Sequence, residues 1–358
     1  MKVAYFLTWQ HGARTGVFAK VADQVRAWDR LGIEAGIFVA TTHEARDDWE
    51  SLPQAVHVEA FAGVLASVRA QSRLLRRVQA WSPDITYVRT SPRQATAARL
   101  LHRTPRVIEI QSDDLAEARL SSLPRRALTL ITRRPCHRGA CGMVFVSREL
   151  AQSSSYSFAT DNRIVIGNGI DLGRVPVLPT PASDGPVRLA FIGHPGVPWH
   201  GIEEMYALAR IRPQWQIDII GATAPGGARP LGNVVHHGEL SADQYVPILA
   251  NATVGIGTLA LYSKGMQEAS PLKSREYLAR GLPVIGAYED TDIPADSPVY
   301  LRLQNRPGAI VEELPAVERF IDSWRGRRVQ HEEIAFLDTS VKESTRIDFL
   351  RACARLPH

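Results

Sequence analysis

Short apolar runs alternate with amphipathic stretches through the first half of the chain. Lys2 to Leu7 forms an apolar run that is typical of a buried parallel strand. From Val17 to Leu31 the apolar residues recur at spacings of three and four, which predicts a helix with one buried face. Ala35 to Val39 is the next apolar run, and the alternation, with a predicted helix at Arg93 to Leu101, continues to Ile166. This alternation predicts a parallel sheet covered by helices on both faces.

The alternation restarts after a segment rich in proline and glycine. Residues 173–186 contain little apolar content, which predicts a linker. The apolar run from Val187 to Ile192 opens a second series of strands and helices. Ligands of open parallel sheets bind outside the carboxyl ends of the strands, so both halves are expected to face one cleft. We predict an N-terminal domain over 1–172, a linker over 173–186, a second domain over 187–335 and a C-terminal segment over 336–358.

Composition narrows the class of protein. The chain has 358 residues, 45% hydrophobic and 22% charged, which excludes a disordered chain. The net charge of +5 is compatible with acidic small molecules, anionic lipid or nucleic acid and selects none of them. Only five of the 42 basic residues are lysines, a bias typical of a GC-rich genome, and we expect a bacterial protein. Three cysteines and the absence of a long apolar run favour the cytoplasm.

The most informative segment runs from Glu268 to Ile285. Its two carboxylates, Glu268 and Glu276, are separated by seven residues, and Pro271 is suited to the start of a helix. We therefore expect Glu276 about one turn into that helix and Glu268 in the loop before it. That helix N-terminus would offer free amides and a positive dipole end to a phosphate, and Lys273 adds a formal charge. Carboxylates accept hydrogen bonds from hydroxyl groups. The segment therefore suits a sugar nucleotide, which carries phosphate between a ribose and a sugar.

The same segment resembles the signature of the GT-B glycosyltransferases of family 4, in which Glu-x7-Glu precedes Tyr-Leu-Ala-x-Gly-Leu-Pro-Val-Ile. The resemblance implies an α/β fold of two Rossmann-like, doubly wound parallel-sheet domains facing a central cleft, with the C-terminal helix packing back on the first domain. It also implies transfer with retention at the anomeric carbon and no obligatory metal or other cofactor. Weaker matches occur in the family's order at Gly12 and Gly16, Asn168–Asp171, Phe191–Gly193, Trp199–Ile202 and Asn233–Leu240.

The resemblance also implies a role for each matched residue. Glu276 would accept hydrogen bonds from the nucleotide ribose, and Glu268 would contact the donor sugar near the reacting carbon. Lys273 would act with Glu268 in catalysis by holding the diphosphate. The alternative is a surface carboxylate for Glu276, a loop residue for Glu268 and a helix-face charge for Lys273. Further donor-binding residues would be Gly16, Gly193, Ser270, Pro271 and Leu272.

Two histidines depart from the family's pattern. At the positions where relatives have Arg and Lys, six residues apart, this chain has His194 and His200. Imidazole is mostly neutral at pH 7, but a nearby diphosphate would favour its charged form. We therefore expect both histidines to bind the donor, with a pH-dependent affinity. The alternative is that they only pack, while Lys273 and backbone amides hold the diphosphate.

The residues on the acceptor side also depart from the family's pattern. Many relatives have a His after the fourth strand of the first domain, whereas here the stretch contains Asp113, Asp114 and Glu117. Asp113 and Asp114, together with Arg14, are candidates for acceptor binding. The alternative is an acidic turn that caps the next helix.

Two arginine pairs flank an apolar stretch, Arg125 with Arg126 and Arg133 with Arg134. Such a surface could contact anionic lipid on the inner face of the membrane, and the alternative is an ordinary solvated helix face. Other signals are discounted. The pair Asp290 and Asp292 is expected in a loop rather than at a metal, and no motif indicates nucleic-acid binding.

The leading interpretation is a glycosyltransferase of polysaccharide or glycoconjugate biosynthesis. It would move a sugar from a UDP-, GDP- or dTDP-linked donor to a hydroxyl of a glycan, a lipid-linked intermediate or a natural product. One alternative is a sugar-nucleotide epimerase or phosphorylase of the same fold. Another is a sugar-nucleotide-binding partner with weak or no transferase activity.

Overall fold

The computed structural model describes residues 1–13, 15–90, 104–119, 123–224, 226 and 231–356. The chain divides into two compact units. The first contains residues 1–167 and 339–358, and the second contains residues 168–338. The helix predicted at Arg93 to Leu101 lies outside the described residues.

The described strands and helices are numbered here in chain order. The strands are β1 Lys2–Thr8, β2 Glu34–Thr41, β3 Ala55–Ala60, β4 Ile85–Arg89, β5 Arg106–Ile110, β6 Gly142–Phe145, β7 Arg163–Val165, β8 Arg188–Ile192, β9 Gln216–Ile220, β10 Val234–Gly238, β11 Val254–Ile256, β12 Glu268–Ala269, β13 Val284–Gly286, β14 Glu289–Asp290 and β15 Tyr300–Arg302. The helices are α1 Gly16–Arg30, α2 Arg46–Glu50, α3 Val64–Trp81, α4 Asp114–Arg119, α5 Leu123–His137, α6 Arg148–Gln152, α7 Ile202–Ile211, α8 Ala242–Asn251, α9 Leu272–Ala279, α10 Ala309–Glu312, α11 Leu314–Ser323 and α12 Thr339–Ala354.

The first unit is built on a seven-stranded parallel sheet with the order β3-β2-β1-β4-β5-β6-β7. Strand β1 is buried from Val3 onwards, as expected of a central parallel strand. Helix α1 begins after Thr15, whose side chain accepts the amide of Phe18, and its apolar stripe is buried at Val21 and Trp28.

A buried cluster of charges joins helix α12 to the rest of the first unit. The carboxylate of Glu109 is fully buried and lies 2.8 Å from Lys20, 3.1 Å from Arg89 and 3.7 Å from Arg346. Burial alone would raise the pKa of Glu109, but these cations hold it below its usual value. On the same helix as Arg346, Glu343 accepts the indole N–H of Trp28 at 2.7 Å. These contacts fix the C-terminal helix against α1 and the sheet.

The second unit is built on a six-stranded parallel sheet with the order β10-β9-β8-β11-β13-β15, and β12 pairs in parallel with β14. Residues 173–186, predicted as the linker, lie in this unit. Their backbone is held there, because Leu178 donates its amide to the carbonyl of Arg280 at 3.0 Å and Arg328 donates to the carbonyl of Pro179 at 3.1 Å.

The fold predicted from the alternating pattern is confirmed, since each unit has a doubly wound, Rossmann-like sheet with flanking helices. Two local predictions differ. Glu268, expected in a loop, lies in the short strand β12, and Asp290, also expected in a loop, ends its partner β14. Two-residue strands carry too little apolar pattern to be recognised in a sequence. Among the described residues, no helix is both long and apolar enough to span a membrane.

Candidate functional site

The candidate residues of the second unit gather at the carboxyl edge of its sheet. Strand β8 lies between β9 and β11, so the order of strands reverses at β8, and ligands of such sheets bind at this reversal. Gly193 and His194 follow β8 directly, and residues 268–276 run from β12 into α9. The donor-binding residues that the sequence predicts in the second half of the chain, from Gly193 to Glu276, therefore lie in one unit and at one edge of its sheet.

Gly193 lies where a side chain would not fit. A Cβ there would lie 2.4 Å from the ring of Phe191 and 2.8 Å from Nδ1 of His200. The glycine allows the backbone after β8 to pass directly against these two rings. Packing within the chain therefore requires glycine at this position.

Lys273, at the start of α9, has a buried amino group. Pro271 is the N-cap, and no side chain caps the helix, so the first-turn amides of Leu272 and Lys273 remain for another acceptor. The Lys273 Nζ atom is buried 3.9 Å from the centre of the Phe191 ring, and no described residue hydrogen bonds to it. Burial lowers the pKa of Lys273 well below its usual value. This arrangement suits an anion that is not part of the chain.

His200 is held neutral rather than protonated. Its ring is buried and lies 5.2 Å from the Phe191 ring, and no described residue bonds to its Nδ1 atom. Burial, and then repulsion by Lys273 and His194, lower the pKa of His200 to about 2. His194 is exposed to solvent. The free protein therefore favours the interpretation in which His200 packs against Phe191 as a neutral ring, and Lys273 with backbone amides remains the candidate for holding the diphosphate.

The two carboxylates of the signature have different surroundings. Glu268 is buried in β12, with 5% of its surface exposed. Glu276 lies in the middle of α9 and is partly exposed. Its Oε1 atom accepts the hydroxyl of Tyr245 at 2.7 Å and Nε of Arg280 at 3.1 Å.

Arg275 is a residue that the sequence analysis missed. Its guanidinium is completely buried and donates to both carboxylate oxygens of Asp290, at 2.8 and 2.7 Å, and to Asp292 at 3.1 Å. It also donates to the Ser270 hydroxyl at 2.7 Å and to the Asn168 carbonyl at 2.8 Å. The pKa of this guanidinium is raised because the aspartates outweigh its burial. Five acceptor atoms on four residues thus surround one cation.

Ser270 is turned into this cluster. Its hydroxyl accepts the amide of Asn168 at 2.8 Å, and the Asn168 side-chain amide donates to the Ser270 carbonyl. The Asn-Gly-Ile-Asp motif that begins at Asn168 therefore holds the turn before α9. With its hydroxyl so engaged, Ser270 offers the site its backbone.

The candidate residues of the first unit have structural contacts of their own. Gly16 is the first residue of α1, and Arg14 lies outside the described residues. Asp113 caps α4, because its Oδ1 accepts the amides of Leu115 at 2.9 Å and Ala116 at 3.0 Å. Asp114 pairs with Arg133 at 2.7 Å and accepts the Tyr156 hydroxyl at 2.9 Å.

The arginine patch of α5 needs a correction. Arg133 is buried, lies 4.5 Å from the Tyr156 ring and pairs with Asp114, so it does not face solvent. Arg126 and Arg134 are exposed, and the side chain of Arg125 lies outside the described part. Within the described residues, no group of three His, Cys, Asp or Glu side chains could hold a metal ion.

Residues 15–169 match the sequence profile of the glycosyl transferase 4-like domain. The search of curated protein sequences finds no match. Among solved structures, sucrose-phosphate synthase from Thermosynechococcus elongatus has a TM-score of 0.69 at 14% identity, covering 98% of each chain. HepE from Anabaena, solved with UDP-glucose, has a TM-score of 0.68 at 14% identity and covers 98% of this chain and 99% of its own.

The catalytic domain of starch synthase IV from Arabidopsis thaliana, bound to ADP and acarbose, has a TM-score of 0.70 at 10% identity and covers 99% of both chains. At these identities the likeness establishes the fold, which is that of the GT-B glycosyltransferases. The resemblance to the family 4 glycosyltransferases is confirmed by the profile match, which covers residues 15–169 and not the Glu-x7-Glu segment itself, and the neighbours confirm the GT-B fold.

We predict that Arg275→Leu lowers the free energy of unfolding by about 3–5 kcal/mol, because two buried aspartates lose their cation. Arg302→Leu is the matched control, since it breaks a half-exposed pair with Glu289 and should cost less than about 1 kcal/mol. Urea unfolding followed by tryptophan fluorescence measures both. Equal stability of the two variants would contradict the role of Arg275. Asp292→Asn, at the exposed end of the cluster, provides a milder test if Arg275→Leu does not fold.

Proposed function

Because the chain is a GT-B protein that resembles the family 4 glycosyltransferases, we propose that it is a retaining glycosyltransferase that uses a nucleoside diphosphate sugar. One observation carries the proposal. The buried amino group of Lys273 makes no hydrogen bond to a described residue. It lies at the uncapped start of α9, between Glu268 and Glu276 in the sequence. An unpaired buried charge is costly unless a ligand of opposite charge completes it. A diphosphate flanked by a ribose and a sugar does so.

In this proposal, groups at fixed positions stabilise the negative charge that develops on the leaving diphosphate. Lys273 and the first-turn amides of α9 stabilise it, and the helix dipole points the same way. Glu276 accepts ribose hydroxyls, and Glu268 accepts hydroxyls of the donor sugar near the reacting carbon. Leu272 contributes its backbone amide, whereas Pro271, which has no N–H, fixes the start of the helix and Ser270 holds the turn before it.

Lys273 also compensates for the histidines at the positions where relatives have Arg and Lys. The ammonium packs on the same Phe191 ring as His200, so it occupies the neighbourhood that the family's missing Lys would serve. Charge is thus supplied from the helix rather than from the turn after β8. His194 and His200 would contribute hydrogen-bonding groups to the same ligand.

The donor and acceptor are proposed as classes. UDP, UDP-glucose and ADP are bound in the neighbouring structures, which supports a nucleotide-sugar donor linked to UDP, ADP, GDP or dTDP. The acceptor would be a hydroxyl of a glycan, a lipid-linked intermediate or a natural product, with Asp114 and Gly16 of the first unit as candidates for contact with the substrates. A cytoplasmic location is part of the proposal, because Cys136, Cys141 and Cys353 form no disulfide bond.

We predict that one member of a panel of UDP-, ADP-, GDP- and dTDP-sugars raises the melting temperature and is slowly hydrolysed or transferred. Glu268→Gln should reduce turnover at least about a hundredfold while nucleotide affinity changes little. Proton NMR of the first sugar released should show the donor's anomeric configuration, and turnover should persist in EDTA.

Glu289→Gln is the matched control, because Glu289 lies opposite Glu268 in the β12–β14 pair and is exposed. It should keep wild-type turnover. A wild type that binds nucleotide sugars without turnover would favour the binding-partner alternative. Inverted product would overturn retention, and binding of no member would overturn the proposal.

We predict that donor affinity falls as pH rises through the lowered pKa of Lys273. Below that pKa the ammonium is charged before binding and affinity is highest. Above it, binding must take up a proton, until the pKa of the bound form is passed. Nucleotide sugars are suitable probes, because their diphosphate diester does not titrate from pH 6 to 10. Calorimetry in two buffers of different ionisation enthalpy measures the proton uptake.

Lys273→Arg should flatten this profile, since guanidinium stays charged throughout. His200→Gln should leave its shape unchanged, because His200 is already neutral in the free protein. A profile that flattens in His200→Gln and not in Lys273→Arg would assign the titration to the histidine instead.

We also propose that helix α5 contacts an anionic lipid surface. Its buried side is polar, with Thr129, Thr132, Arg133 and His137, whereas Leu130 and Ile131 are 54% and 73% exposed. Leu123, Arg126, Leu130 and Arg134 recur on the outer face at helical spacing. The helix contains no acidic residue. An apolar outer face with arginines suits an anionic bilayer surface.

We predict that the protein co-sediments with vesicles containing phosphatidylglycerol at low salt, and much less with pure phosphatidylcholine. Leu130→Ser with Ile131→Ser should abolish this binding, because the apolar contact is lost. Val341→Ser, at another exposed apolar residue, is the matched control and should retain it. Failure of the wild type to pellet with the anionic vesicles would refute the proposal.

A further inference from the structure

One of the two carboxylate oxygens of Glu276 already accepts hydrogen bonds from the chain. Its Oε1 atom accepts two hydrogen bonds, from the Tyr245 hydroxyl at 2.7 Å and from Nε of Arg280 at 3.1 Å. A carboxylate oxygen has two lone pairs, so these bonds saturate Oε1. Among the described residues, none has a hydrogen bond to Oε2. One oxygen is thus held by the chain, and the other is left for a ligand.

The two donors come from different elements of the second unit. Arg280 follows α9, one turn after Glu276, so the pair is a local helix contact. Tyr245 lies in the first turn of α8, which starts at a capping box formed by Ser241 and Gln244. The hydroxyl therefore links the start of one helix to the middle of another.

The surroundings keep both groups in the required state. Burial, and then the charge of Glu276, raise the pKa of the Tyr245 hydroxyl, so the hydroxyl remains a donor. The guanidinium of Arg280 has only donors to offer. Glu276 itself is only partly exposed, with 23% of its side-chain surface accessible. Its carboxylate cannot turn without breaking both bonds.

We propose that Tyr245 and Arg280 are positioning residues that fix Glu276 so that its Oε2 atom alone meets a hydroxyl of the nucleotide's ribose. This inference rests on the proposed function, in which Glu276 accepts hydrogen bonds from the ribose. A single fixed acceptor favours a ligand that has the hydroxyl in place. When the hydroxyl is missing, the bound nucleotide shields Oε2 from water without giving it a hydrogen bond. Ribose recognition therefore depends on a tyrosine that does not touch the nucleotide.

A purely structural contact would behave differently. Loss of a structural bond between α8 and α9 would weaken all nucleotides by the same factor. Loss of a positioning bond weakens ribonucleotides selectively, because a deoxynucleotide makes no use of the oriented oxygen. The ratio of the dissociation constants of deoxy and ribo forms separates the two roles.

The experiment measures the binding of UDP, ADP and GDP, and of their 2′-deoxy and 3′-deoxy forms, by calorimetry. The wild type should prefer the ribo form of its nucleotide by about tenfold or more. Tyr245→Phe, which removes only the hydroxyl, should reduce this preference to about twofold or less while the deoxy form binds as before. Arg280→Gln should shift the ratio in the same direction. Both variants should raise KM for the donor more than they lower kcat.

Tyr300→Phe is the matched control, because its hydroxyl bonds the carbonyl of Tyr288 and not Glu276, and the ratio should stay at the wild-type value. An unchanged ratio in Tyr245→Phe would overturn the inference and leave the proposed function intact. A wild type that binds ribo and deoxy forms equally would overturn both the inference and the ribose role of Glu276, and would leave the proposed transferase activity standing. A wild type that binds none of the nucleotides would overturn the inference and the proposed function.

Discussion

The buried guanidinium of Arg275 is the interaction on which the candidate site depends. The turn between β12 and α9 has no sheet of its own beyond the two-residue pairing with β14. Its position is set instead by side chains, since Arg275 bonds Ser270, Asp290 and the Asn168 carbonyl within one cluster. The cost of burying these charges is met only when all partners are present, so the cluster has one arrangement.

That fixed turn determines where the functional groups lie. The Ser270 hydroxyl is held by Asn168 and Arg275. Helix α9 then starts without a side-chain cap, and Lys273 extends onto the ring of Phe191. The charge of Lys273 is unpaired by any described residue, while that of Arg275, two positions later, is fully matched. One turn of α9 thus holds a structural cation and the lysine that is proposed to bind the ligand. Preorganisation of this kind removes the need to rearrange charges when a ligand binds.

The sequence predicted the regular parts of this picture well and the buried polar contacts poorly. Alternating apolar runs located most strands and helices, because buried parallel strands and amphipathic helices have distinct periods. Arg275 looks like any helix arginine, and its partner Asp290 lies 15 residues away in a segment without pattern. The neutral state of His200 depends on burial by residues distant in sequence. Arg133 was misassigned to a surface for the same reason, since only the fold shows its pairing with Asp114.

The central claim is that the second unit binds a diphosphate at the start of α9. A crystal structure of the protein with its nucleoside diphosphate tests this most directly. The account predicts a phosphate oxygen within about 2.7–3.2 Å of Lys273 Nζ and of a first-turn amide of α9, with the ribose at Oε2 of Glu276. A diphosphate bound elsewhere, or a Lys273 side chain turned away from it into solvent, would contradict the account.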